Sequence, residues 1–305
     1  MLDLKHAGDL TQTEHLEVAS NMQALLINEL MHVRRWTADE AVLHGGSSVR
    51  MRWGSTRFSE DLNFMVSENC FGELEGIAKR VIERVRAQAS MLWPDCQVDC
   101  TVKTRNSQDG LDVLNTWDVR WRHPNRRNKV QVKLDFYRTD AVVMRDYRAT
   151  ASMLSTPASR VRVRGTMPTP DLVSLWGDKV KAIATRPHFK WRDIHDLGFV
   201  AGLLSRVRDT DLEQKLYTAL ETSCRVYGKS IQEVVVCLRN VLDSGVMENY
   251  VEFNANMENW FGTEEYSGMV SQRYFDGLLD EARVEVERAI AIVEATQACV
   301  TSVVV

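Results

Sequence analysis

Asp61 and Asn63 stand two residues apart in the run Asp61-Leu-Asn-Phe-Met-Val66. In a strand both oxygen-bearing side chains point to one face, while Leu62, Phe64 and Val66 point to the other. Just upstream lies His44-Gly-Gly-Ser-Ser48. Its glycines, Gly45 and Gly46, let the backbone come close to a ligand, and a helix opened by this turn offers free N–H groups to an anion. Ser47 and Ser48 add hydroxyl donors; taken alone, such a turn suits a bare hairpin equally. Neighbouring oxygen donors beside an anion-binding turn suit Mg2+ bridging the oxygens of a nucleoside triphosphate (NTP). A third carboxylate follows the same logic on Lys129–Tyr137. There Val130, Val132, Leu134 and Phe136 form the buried face, and Asp135 lies on the polar one as a third metal ligand or a base. The chain has no Walker-type Gly-x4-Gly-Lys-Ser/Thr motif, so a P-loop NTPase is unsupported.

The elements that must carry these residues follow from periodicity. Thr11–Trp36 reads as a helix, Ala41–His44 as a short strand and Ser47–Trp53 as a short helix. Asp61–Val66 reads as a strand, Phe71–Leu92 as a helix, and Gln97–Lys103, Trp117–Arg122 and Lys129–Arg138 as further strands. After a basic, Pro-containing linker around Thr156–Pro170, helical periodicity dominates from Asp171 to Thr296. The expected fold class is α+β: a mixed β-sheet with flanking helices, then a mainly α-helical C-terminal domain. The expected domains are 1–160 and 161–305, the second completing the cleft. On the helix from Asp171, positions 172, 175, 176, 179 and 183 share a face, so Lys179 lies within an apolar stripe, where a cation must snorkel or meet a ligand. On the next helix Asp193 and Asp196 are i,i+3 neighbours.

Together these residues resemble the nucleotidyltransferase superfamily and, more closely, the AbiEii/AbiGii-type abortive-infection toxin family. The motif residues are Gly45, Gly46, Ser47, Arg50, Arg57, Ser59, Asp61, Leu62 and Phe64, then Lys133-Leu-Asp-Phe-Tyr-Arg138, then Lys179 and Arg192-Asp-Ile-His-Asp-Leu197. They occur in the family's order between about Val42 and Leu204. The family carries aspartate where this chain has Asn63, which can still ligate a cation but removes one negative charge. The resemblance implies catalytic roles for Ser59, Asp61, Asn63, Asp135, Lys179 and Asp196. It implies nucleotide contacts at Gly45, Gly46, Ser47, Ser48, Arg50 and Lys179, and metal ligation by Asp61, Asn63 and Asp135.

Net charge is −4, which by itself argues against a dedicated nucleic-acid binder, but it is unevenly spread. Residues 120–192 carry 17 basic and 5 acidic side chains, while both flanks are acidic. That block attracts phosphate backbones whatever the total, and Arg126, Arg127 and Lys129 are its expected RNA-binding residues. Six cysteines form no CxxC pair and fit reduced thiols. The first residues lack a secretory leader, no window is apolar enough for a membrane helix, and the apolar tail 298–305 reads as frayed or docked. A cytoplasmic location is expected. The resemblance then implies a magnesium-dependent toxin that moves NMP from an NTP to an acceptor, most simply the tRNA 3′ end, opposed by an antitoxin protein. Two alternatives stand beside it: a nucleotide- or RNA-binding module weakened by Asn63, or transfer to a protein or small molecule.

Overall fold

The computed structural model describes residues 4, 7–107, 111–157 and 159–303. The chain divides into two compact units, one of residues 1–145, 149–169 and 261–263, the other of 146–148, 170–260 and 264–305.

In the first unit, five alternating segments become β1 (Ala41–His44), β2 (Asp61–Ser67), β3 (Gln97–Asn106), β4 (Asp112–Arg122) and β5 (Val130–Thr139). They form one sheet in the order β1-β2-β5-β4-β3. β2 and β5 run parallel, and the other neighbours antiparallel. The helices are α1 (Gln12–Val33), α2 (Gly45–Trp53), α3 (Glu68–Phe71), α4 (Leu74–Leu92) and α5 (Ala141–Asp146). Thr11 and Glu14 close a capping box that starts α1. Leu74, Ile77, Ala78, Val81, Ile82, Val85 and Ala89 give α4 one buried stripe at helical spacing.

The apolar face of the sheet decides its register. Phe64 stacks on Phe136 with ring centroids 4.9 Å apart, and Trp117 lies 4.6 Å from Phe136 on the other side. Trp36, just beyond α1, closes over the pair at 5.9 and 6.3 Å. Each such ring, once buried, contributes roughly 1.5–3 kcal/mol, and a slip of one residue would turn the whole row to the opposite face.

Three differences from the sequence reading have physical causes. α1 ends at Val33, because Arg34 turns to extended backbone (ψ 115°) while its N–H still bonds the Leu30 carbonyl. α2 begins at Gly45, two residues early, because Gly45 takes the left-handed φ that the strand-to-helix corner needs. The basic linker is partly ordered: β6 (Ala149–Met153) pairs with β7 (Thr166–Pro170), a two-stranded sheet too short for alternation to reveal.

The second unit is helical. It contains α6 (Leu172–Thr185), α7 (Trp191–Leu204), α8 (Leu212–Val226), α9 (Ile231–Asp243), α10 (Tyr250–Met257), α11 (Thr263–Ser271) and α12 (Tyr274–Val303). Asp171 caps α6 by accepting from the Ser174 N–H at 2.7 Å. Gly198 lets α7 touch α12, since a Cβ there would collide with the Leu278 carbonyl. The apolar tail continues α12 to Val303; 304 and 305 lie outside the described residues. No helix among the described residues is long and apolar enough to cross a membrane.

Candidate active site

The ring stack that fixes the apolar face also fixes what stands on the polar one. With Phe64 opposite Phe136, Asn63 is opposite Asp135 and Asp61 opposite Lys133 across the parallel β2–β5 pair. On the flanking strands His44 faces Asn63 and Thr116 faces Asp135. Four strands thus contribute one polar row, His44–Asn63–Asp135–Thr116, with Asp61 and Lys133 two residues before it.

Asp135 is held from both oxygens. Thr116 Oγ1 donates to Oδ1 at 2.6 Å, and Lys133 Nζ lies 2.6 Å from Oδ2. The carboxylate side chain is 5% exposed and the lysine 40%. Burial alone would lower the Lys133 pKa. The hydrogen bond to Asp135 and the charges of Asp135 and Asp61 outweigh it and hold the ammonium above the ordinary lysine value.

α2 opens beside this row. Gly45 has φ +72°, which L side chains rarely adopt, and a Cβ there would lie 3.5 Å from Asn63 Nδ2. The first N–H groups of α2, those of Gly45, Gly46 and Ser47, lack intrahelical acceptors and form the positive end of the helix. Ser47 Oγ donates to the Asp61 carbonyl and lies 3.1 Å from Ser59 Oγ. The Ser59 carbonyl in turn accepts from Gln23 Nε2 of α1 at 2.5 Å. These two hydroxyls therefore tie α2 to the start of β2. The Ser48 hydroxyl is fully buried and makes no hydrogen bond among the described residues, an orphan that a ligand oxygen at the helix start would satisfy.

Arg50 sits elsewhere than its place among the expected nucleotide ligands. It is 3% exposed, its guanidinium donates to Ser20 Oγ at 2.9 Å and the Pro157 carbonyl at 2.7 Å, and it lies 5.0 Å above the Phe58 ring. In this position it fastens α2 to α1. Arg57 is buried as well and donates to the Phe58 carbonyl at 2.8 Å.

The donor chemistry on the polar face suits a hard divalent cation, since Asp61, Asn63 and Asp135 all offer oxygen. Among the described residues no group of three His, Cys, Asp or Glu side chains is disposed to hold a metal. The third oxygen here belongs to an amide, and a lysine shares the second carboxylate.

In the second unit, Lys179 of α6 and Asp196 of α7 are brought together. Lys179 Nζ is 2.7 Å from Asp196 Oδ2 and 3.2 Å from Asp193 Oδ1. Arg186 Nε meets Asp193 Oδ2 at 2.9 Å, and His195 Nδ1 lies 3.4 Å from Asp196 Oδ1. Lys179, Asp193 and Asp196 are all buried.

The expected RNA-binding residues lie at the far end of β5. Arg126 pairs with Glu14 at 3.0 Å and is nearly covered, whereas Arg127 and Lys129 are exposed. With Arg122 they line a hollow of about 850 Å3. Asp135 lies six residue steps along the chain from Lys129, about 20 Å in extended backbone.

Lys133, Thr116 and His44 join the polar row with no site role assigned to them from the sequence. Lys133 does show its i,i+2 relation to Asp135, but only the strand order reveals that Thr116 and His44 share the row. Five described cysteines, Cys70, Cys96, Cys100, Cys224 and Cys237, are free thiols outside it.

Residues 33–281 match the family profile described as nucleotidyl transferase AbiEii toxin, type IV TA system. A search of curated proteins finds no significant match. Among solved structures, JHP933 from Helicobacter pylori aligns with TM-score 0.45 and 16% identity, covering 94% of this chain and 97% of that one. MenT4, a nucleotidyltransferase toxin from Mycobacterium tuberculosis, aligns with TM-score 0.47 and 17% identity, covering 92% and 93%. Likenesses this distant transfer no chemistry.

Proposed function

This chain belongs to the AbiEii nucleotidyltransferase toxin family, and on that premise we propose that it moves NMP from an NTP to the 3′ end of tRNA in the cytoplasm and so blocks translation. Membership implies an NTP substrate and an antitoxin counterpart. The observation that carries the reading is the register pairing Asn63 with Asp135 beside the start of α2.

In this proposal the triphosphate rests on Gly46, Ser47 and Ser48, through the N–H groups of the first two and the buried hydroxyl of the third. Gly45 makes the corner, and Ser47 and Ser59 keep α2 fixed against β2. Asp61, Asn63 and Asp135 would hold Mg2+, which supplies charge neutralisation on the phosphate oxygens. The acceptor hydroxyl attacks the α-phosphorus in line as the bond to the bridging oxygen breaks and pyrophosphate leaves, and Asp135 takes the hydroxyl proton. Lys179, steadied by Asp196, is the proposed phosphate-contacting cation of the second unit. The exposed Arg127 and Lys129, with Arg126 behind them, are the proposed tRNA backbone contacts.

The test is incubation with magnesium, each labelled NTP and total tRNA. Label should appear on tRNA, and Asp61→Ala should reduce it at least about a hundredfold, in line with losing one electrostatic stabiliser. No label from the chain or from Asn63→Asp would sink the tRNA reading. Activity confined to Asn63→Asp would instead support the second reading, which Asn63 itself favours: a nucleotide- or RNA-binding module without turnover. Label on protein or a small molecule alone would move the acceptor.

A further inference from the structure

The sequence Arg160-Val-Arg-Val-Arg164 has the alternation of a strand but no place in either sheet. Two asparagines on α1, seven residues apart and hence two turns along one face, hold its backbone instead. Asn21 Oδ1 accepts from the N–H groups of Arg160 and Val161 at 2.8 and 3.1 Å. Asn28 donates to the Arg162 carbonyl at 3.0 Å and accepts from the Arg164 N–H at 2.7 Å. Val161 and Val163 turn inward and join the core. Arg160, Arg162 and Arg164 are therefore displayed outward in a row on a fixed backbone.

This row forms one wall of a groove of about 1180 Å3 that runs between it, α1 and α4. Among the described residues, five arginines line the groove against one glutamate, and no lysine or aspartate does. The glutamate, Glu29, is buried and already held by Arg84 and Gln88. Arg160 also pairs with Glu17 at 2.9 Å, but remains nearly half exposed. The floor and rim are apolar: Leu25, Met31 and Met167 lie beneath, and Met91 and Leu92 stand at the end of α4, Met91 82% exposed.

We propose that this groove is a docking surface for an acidic, amphipathic polypeptide segment of a partner protein, apolar residues on Met91, Leu92 and the floor and carboxylates on the arginine row. Excess positive charge selects an anionic partner. A bare thioether and leucine at the rim select one with apolar side chains, and arginine with methionine at the expense of lysine is the composition of protein interfaces. Nucleic acid fits less well. The groove lies on the helix-covered face of the sheet, whereas the Asp61–Asn63–Asp135 row occupies the other face, so an acceptor end bound here would not reach the carboxylates. The surface is independent of the nucleotide chemistry.

Fluorescence anisotropy on the full chain tests it, with a labelled peptide alternating glutamate and leucine, its lysine-for-glutamate counterpart, and oligo(U). The acidic peptide should bind in a salt-sensitive manner, and the lysine peptide should not. Arg160→Gln/Arg162→Gln/Arg164→Gln should weaken binding about tenfold or more, and Met91→Ser, which leaves charge unchanged, severalfold. Unchanged melting temperature and NTP titration exclude misfolding as the cause. Equal binding of both peptides, or indifference to the arginine variant, overturns the proposal. If oligo(U) binding is lost with the arginines while Met91→Ser affects neither ligand, the surface reads nucleic acid instead.

Discussion

Lysine meets aspartate in both units, with opposite consequences. In the first unit Lys133 reaches Asp135 from the polar face of a sheet, and its side chain is 40% exposed. In the second, Lys179 meets Asp196 and Asp193 with all three side chains buried. Water reaches the lysine end of the first pair and can replace that partner, so the lysine can yield to a cation or a phosphate. The second pair has no such substitute. Removing one member leaves a desolvated charge behind, so the same two residue types there act first as a structural lock between α6 and α7.

The largest expected effect breaks that lock. Lys179→Met should destabilise the protein by about 3–5 kcal/mol, measured by urea unfolding, because the buried Asp193 and Asp196 then lose the ammonium they share. A loss below about 1 kcal/mol would put Lys179 in the same class as Lys133.

Lys181 sharpens the contrast on the same helix. It is buried, with its ammonium 3.0 Å from the centre of the Tyr227 ring, and burial lowers its pKa from 10.5 to about 8 despite the nearby Asp178. Between pH 8 and 10.5 the unfolded chain keeps this proton after the folded chain has released it. Stability from this group should therefore rise with pH across that window, by at most about 3 kcal/mol. Unfolding curves of the wild type and Lys181→Met at the two ends of the window isolate the contribution. Identical pH slopes in both proteins would mean that Lys181 stays charged on folding.

The smallest effect belongs to Lys133. Lys133→Ala should cost less than about 1 kcal/mol of stability. Calorimetric titration should show Mg2+ bound more tightly, since Asp135 loses its resident ammonium. A loss of several kcal/mol without any change in cation affinity would make this pair a second lock.

How much of this could be read beforehand varies by residue. The shared polar face of Asp61, Asn63 and Asp135 was legible because a period of two assigns a strand residue to a face from its neighbours alone, whereas Gly45–Ser48 was legible only as a turn, since the same residues suit a bare hairpin. Arg50 was not. Its motif position suggested a ligand, but the arginine is folded back onto Ser20 and Phe58, contacts whose sequence distance no pattern records. β6 and β7 escaped notice for the same reason, since a short strand in a Pro-rich stretch forms only when its partner arrives. For Lys179 the sequence showed a cation in an apolar stripe and left two fates open, ligand contact or snorkelling; the structure adds buried carboxylates as its partners.

By itself, then, the sequence determined which side chains share a face, which of the longer periodic segments are helix or strand, and which family motifs occur in which order, because these depend on spacing along one chain. Tertiary structure alone decided that Asn63 stands opposite Asp135, that Thr116 and Lys133 hold that carboxylate, and that Asn21 and Asn28 straighten the arginine row. Each depends on a pairing between segments distant in the chain. The stacked rings of Phe64 and Phe136 set the first of these by excluding any other register.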